Sequence, residues 1–71
     1  RKLRSEGHML TPRQIEALQL VADGRKAKQI ADAMGIGQKA VENTLVRTRE
    51  TLGAMNSAHA VALALRAGLI R

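Results

Sequence analysis

Glycine cuts this chain into four short stretches. Each stretch ahead of a glycine carries apolar residues at helical spacing. Gly24, the Gly35-Ile36-Gly37 segment, Gly53 and Gly68 stand where those patterns stop. No strand-like alternation, internal repeat or low-complexity run interrupts them. The chain therefore reads as all-α, with four helices. Its 71 residues suffice for one small domain with a thin core. Phe, Tyr and Trp are all absent, so Leu, Ile, Val, Ala and Met must build that core. The same absence argues against single-strand binding, which stacks bases on aromatic rings.

The first helix is predicted over about 12 to 23. Thr11 can accept the backbone N–H of Gln14, and the Gln14 side chain can reach back to the Thr11 N–H. That is a capping box, with Pro12 at the first helical position, where its missing N–H is harmless. Ile15, Leu18, Val21 and Ala22 then follow on one side. A second, short helix is predicted from Ala27 to Met34, with Ile30, Ala31 and Met34 on one stripe. Ile36 is expected to enter the core. The third helix should run from Gln38 to Leu52. The connector Ala54-Met55-Asn56 leads to Ser57, read as the N-cap of a fourth helix from Ala58 to Ala67. Met34 and Met55 are read as core filler.

The residues ahead of this pattern, 1 to 9, have no helical period. Gly7-His8-Met9 looks like a vector scar before a start methionine, so the leader is expected to be a disordered, dispensable cloning remnant. The domain proper is placed at 10 to 71. The formal net charge is +6, with 12 Lys and Arg against 6 Asp and Glu. Arg1, Lys2, Arg4 and Glu6 fall in the leader, and the remainder stays basic without them. A polyanion, most simply nucleic acid, is the expected partner.

The spacing of Ala31, Gly35 and Val41 carries the most information. A helix-turn-helix needs a small residue where its two helices cross, which Ala31 supplies. It needs a turn residue that tolerates positive φ, supplied by Gly35, and an inner apolar anchor, supplied by Val41. Two ordinary helices joined by a glycine turn would share this spacing. The third helix adds a distinction. At about 100° per residue, Val41, Leu45, Thr48 and Leu52 share one arc. The opposite arc holds Lys39, Glu42, Asn43, Val46, Arg47 and Glu50. In a major groove, Asn can bond adenine, Arg can grip guanine or phosphate, and an apolar group can touch a thymine methyl. A second basic cluster, Arg25, Lys26 and Lys28, opens the second helix. There Lys28 and the helix N-terminus can hold a phosphate.

These blocks resemble the LuxR-type helix-turn-helix domain of bacterial regulators. Leu10-Thr11-Pro12-Arg13-Gln14-Ile15-Glu16-Ala17-Leu18 is similar to its opening. Lys28-Gln29-Ile30-Ala31 and Ala40-Val41-Glu42-Asn43-Thr44-Leu45 are similar to its reading helices, and Leu52-Gly53 with Ala60-Val61-Ala62-Leu63-Ala64 to its close. The resemblance implies four helices, a third helix in the major groove and dimerisation through the fourth. It places Glu42, Asn43 and Val46 at bases. It places Lys28, Lys39, Thr44 and Arg47 at phosphates or nearby base edges. The chain departs from the family pattern at Ala40, Glu42 and Thr44, where Thr, Lys and His are usual, and at Thr48, where an apolar residue is usual. Ala40 removes a phosphate-binding hydroxyl, and Glu42 sets a negative charge at the groove.

The fourth helix is apolar nearly all round, with His59 and Arg66 on one narrow arc. Ala60, Val61 and Ala64 can pack on the domain, while Ala58, Ala62 and Leu65 point elsewhere. A second copy is the expected cover, giving a homodimer on an inverted-repeat operator of double-stranded DNA. Packing on a regulatory domain, or simple tolerance of small Ala patches, are the alternatives. Full-length family members usually carry such a sensory domain.

Other classes fit less well. No nucleophile–base pair is visible, so an enzyme is not expected, and no cofactor is implied. His8 and His59 lack ligand company for a metal. No apolar run can span a bilayer, and the lack of cysteine fits a reducing cytoplasm, the expected location. A sigma-factor region 4 domain, reading a promoter while held by RNA polymerase, is a rival, though it needs no apolar self-association face. An antagonist that pairs with a related regulator is another, kept open by Ala40 and Glu42.

Overall fold

The computed structural model describes residues 10–71, and the reading of the leader lies outside the described residues. Four helices follow one another: α1 Pro12–Ala22, α2 Ala27–Met34, α3 Gln38–Leu52 and α4 Ser57–Arg66. No strand occurs among the described residues. The capping box of α1 forms as its sequence dictates. The Gln14 N–H donates to Thr11 Oγ1 at 3.1 Å, and the Thr11 N–H donates to Gln14 Oε1 at 2.9 Å. Gly35 ends α2 in the left-handed conformation, φ 69°, where a Cβ would be strained.

α3 is the central element. It packs against α1, α2 and α4, and α2 and α4 do not touch each other. Two cores result, one on either side. The first joins Ala17, Ile30, Ala31, Met34 and Val41, with Leu20, Val21 and Ile36 packed against it. Ile36 enters it as a half-buried residue, as the sequence suggests. The second joins Leu18, Ala60, Ala64 and Ile70, with Leu10, Ile15, Leu52 and Val61 around them. Adjacent residues of α1, Ala17 and Leu18, therefore serve different cores. Leu45 of α3 touches both. Leu18, Ile30 and Val41 are fully buried. Each burial of this kind stabilises the fold by roughly 1.5–3 kcal/mol.

Three details depart from the sequence expectations. α4 begins one residue early and is capped by Asn56, not Ser57. The Asn56 side chain accepts from the His59 N–H at 2.8 Å. Ser57 Oγ instead accepts from the Arg49 guanidinium at 3.2 Å. α4 also stops at Arg66, with Ala67 as its cap. Second, Met55 is not core filler. Its side chain is 86% exposed. The connector backbone is fixed by the Met55 N–H donating to His59 Nδ1 at 3.0 Å, which leaves the thioether outside both cores. Met34, by contrast, is buried. Third, the C-terminal end takes part in the fold. Ile70 is buried, and the Gln19 side-chain amide grips the Arg71 backbone, its Nε2 donating to the Arg71 carbonyl at 2.7 Å and its Oε1 accepting from the Arg71 N–H at 2.9 Å.

Candidate nucleic-acid interface

The two cores decide which side of α3 stays free. Val41 and Thr48 are fully buried, and Leu45 and Leu52 are half-buried beside them. Thr48 occupies an apolar site without an orphan hydroxyl, because its Oγ1 donates to the Thr44 carbonyl at 2.8 Å. The opposite side is exposed at Lys39, Glu42, Asn43, Val46, Arg47 and Glu50. Val46, an apolar residue, is 39% exposed on this side. Glu42, Asn43 and Val46 lie within one helical turn and the next, so they form one continuous strip. None of the charged groups of this face is in an ion pair with another described residue.

Thr44 sits at the margin of the strip, half-buried. Its hydroxyl donates to the Ala40 carbonyl at 2.8 Å. A hydroxyl has one proton, so in this conformation Thr44 offers a passing phosphate only its lone pairs. The N-terminal part of α2 adds Arg25, Lys26 and Lys28, all exposed. Its first turn is shaped by Gln29, whose Oε1 accepts from the Lys26 N–H at 2.9 Å. Lys28 points away from the first core, which is occupied by Ile30 and Ala31 from the same helix.

On α4, Ala60 and Ala64 are buried, and Val61 is half-buried against the second core. Ala58 is exposed, Ala62 half-buried and Leu65 46% exposed. No group of three or more His, Asp or Glu residues among the described residues can hold a metal ion. No described helix is long and apolar enough to cross a membrane. A shallow cavity of about 310 Å³ lies between α1 and α2, lined by Leu20, Arg25, Gln29, Asp32 and Ala33. Its lining includes no residue of the α3 strip and no cluster of reactive groups.

One contact near this site has no sequence signal beyond a favourable pair spacing. Arg13 of α1 donates to Glu16 Oε1 at 3.0 Å and to the Met34 carbonyl at 2.9 Å. Its three-residue spacing from Glu16 is visible in the chain; its reach to the end of α2 is not.

Comparison with known proteins gives a consistent result. The family model for bacterial regulatory proteins of the luxR family matches residues 8–64. The transcriptional activator protein BjaR1 of Bradyrhizobium diazoefficiens is 39% identical over 61 residues, 86% of this chain and 25% of that protein. The HTH-type quorum sensing-dependent transcriptional regulator RpaR of Rhodopseudomonas palustris is 42% identical over 62 residues, 87% of this chain and 26% of that protein. The chain thus spans about a quarter of the length of these relatives. The Vibrio cholerae VqmA dimer, solved in the absence of target DNA, matches the whole chain and 33% of its own, at 33% identity and a TM-score of 0.84. That structure is described as bearing on how LuxR-type receptors bind DNA. With the family model covering most of its length and four helices in the matching arrangement, this chain belongs to the luxR family of bacterial regulatory proteins and is a LuxR-type helix-turn-helix domain.

Proposed function

We propose that the chain binds double-stranded DNA and regulates transcription in the bacterial cytoplasm, with α3 in the major groove and α4 joining two copies. The observation that carries this reading is the outward strip of α3. It combines a bidentate amide, Asn43, with a carboxylate, Glu42, and an exposed methyl pair, Val46, and it is bordered by Lys39 and Arg47. Asn43 can donate to and accept from one adenine edge. Glu42 only accepts, so it selects a cytosine amino group and repels nearby phosphate. Val46 suits a thymine methyl. Lys28, Lys39 and Arg47 hold the backbone; Thr44 joins them once its hydroxyl leaves Ala40. Ala58, Ala62 and Leu65 form the contact between copies, which fixes two half-sites as an inverted repeat about one helical turn apart.

Selection of bound sequences from a random DNA pool, followed by binding across a salt series, tests the reading. Asn43→Ala should lose roughly 1–3 kcal/mol of discrimination while keeping weak, salt-sensitive binding. Glu42→Lys should raise general affinity and blur the choice of base. Arg47→Ala should weaken matched and mismatched sites alike and lower the salt slope by about one. Equal losses on both sites for Asn43→Ala would sink base reading and favour an antagonist that acts through protein contacts.

A further inference from the structure

A helix-turn-helix reads DNA only if its two helices keep a fixed angle, because one end of α2 meets phosphate while one face of α3 meets bases. The turn between them, Gly35-Ile36-Gly37, is chemically soft. Gly37 is the N-cap of α3, yet it supplies no side-chain cap bond. The backbone bonds that close the turn are Gly35 N–H to the Asp32 carbonyl at 3.3 Å and Ile36 N–H to the Ala31 carbonyl at 3.0 Å. Ile36 anchors it only as a half-buried residue.

Among the described residues, one side chain bonds to the backbone at the edge of this turn, on the residue just before Gly35, and it comes from outside the reader. Arg13 Nη2 donates to the carbonyl of Met34, the last residue of α2. That carbonyl lies in the final helical turn, where no further helical N–H is available to it. Arg13 Nη1 meanwhile donates to Glu16 Oε1 at 3.0 Å in an exposed ion pair, so two donors of the planar guanidinium are engaged at once. The two donors of one rigid group therefore tie the first turns of α1 to the end of α2.

We propose that Arg13 is a positioning residue for DNA reading: it braces the α2–α3 turn and so sets the register between the phosphate-facing and base-facing parts of the reader. This rests on the DNA-reading role proposed above. The same geometry names a suppressor. Gly37 has φ −78° and ψ 159°, extended values that any residue accepts, and nothing lies within 4 Å of where its Cβ would stand. Serine there can cap α3 and stiffen the turn from the other side.

The test compares the wild-type chain, Arg13→Ala, Gly37→Ser and the double variant. Amide hydrogen exchange is read without DNA, and matched against mismatched binding is read across a salt series. In Arg13→Ala the Ile36 amide should exchange about tenfold faster, the loss of one charge-assisted hydrogen bond, while α4 amides stay unchanged. Discrimination should narrow in parallel at an unchanged salt slope, and Gly37→Ser should restore both. Unchanged exchange at Ile36 would overturn the brace. So would a lower salt slope with equal losses on both sites, which would make Arg13 a phosphate contact. Intact discrimination despite faster exchange would overturn the link to reading. A wild-type chain without any discrimination would sink both the DNA-reading role and the positioning role, and exchange at Ile36 would then judge the brace alone.

Discussion

The two cores on either side of α3 are filled differently. On the α2 side, Ile30, Met34 and Val41 interlock around Ala31. On the α4 side, α4 contributes Ala60 and Ala64, and the larger groups come from Leu18 and Ile70. Long side chains fix shape, because a close-packed interior admits few alternative arrangements. Alanine fixes proximity instead. It lets α4 lie close to its neighbours, and it leaves the helix small and apolar on its outer side too, at Ala58 and Ala62. The α2 side is thus complete within one copy and turns a polar, charged surface outward. The α4 side ends in an apolar face that one copy leaves open.

The largest effects should come from the cores themselves. Ile30→Ala removes a fully buried side chain from the first, and Leu18→Ala does so from the second. Each should cost roughly 2–5 kcal/mol in urea unfolding. Because Leu45 touches both cores, the two halves should unfold together. Hydrogen exchange sharpens the point. If Leu18→Ala frees α4 amides while α2 stays protected, the halves are separable and the comparison describes two units.

A smaller effect is expected at the open face. Leu65→Glu places a charge on a residue that is 46% exposed and outside both cores. The melting temperature of the isolated copy should barely move, since exposed substitutions usually change stability by less than about 0.5 kcal/mol. Self-association on DNA should weaken by about 2 kcal/mol, the loss of one central contact. Sedimentation on a two-half-site duplex checks it. An unchanged association state would show that α4 is not the contact, and the contrast between a finished and an unfinished side would fall.

Much of this was legible in the chain, for physical reasons that differ by region. The helices α1, α2 and α3 were readable because each has a local start or stop: the Thr11–Gln14 box, Gly35 and Gly53. The burial of Val41 and Thr48 and the exposure of Asn43 and Arg47 followed from the helical period alone. What escaped was non-local. Ile70 is buried against Leu18, and the Arg71 backbone beside it bonds to Gln19, 52 residues before Arg71, so no window on the sequence contains both partners. Arg13 and Met34 are likewise 21 residues apart. Met55 failed for another reason. An apolar side chain in a short connector goes where the backbone aims it, and here the bond to His59 fixes that backbone.

The N-terminus of α4 offers the finest test, since two good capping residues stand side by side and do different work. Asn56 is extended, and its side chain accepts the His59 N–H, satisfying one of the orphan donors of the first turn. Ser57 is already inside the helix, and its hydroxyl meets Arg49 in the last turn of α3. Asn56→Ala should therefore cost about 1 kcal/mol, the usual value of a lost cap. Ser57→Ala removes one partly exposed bond and should cost less, about 0.5 kcal/mol. Exchange should separate them further. Asn56→Ala should free the His59 amide selectively, whereas Ser57→Ala should leave it protected. A larger loss from Ser57→Ala would place the cap at Ser57 after all, and would mean that the α4 side is held to α3 by its first turn more than by the alanines beneath it.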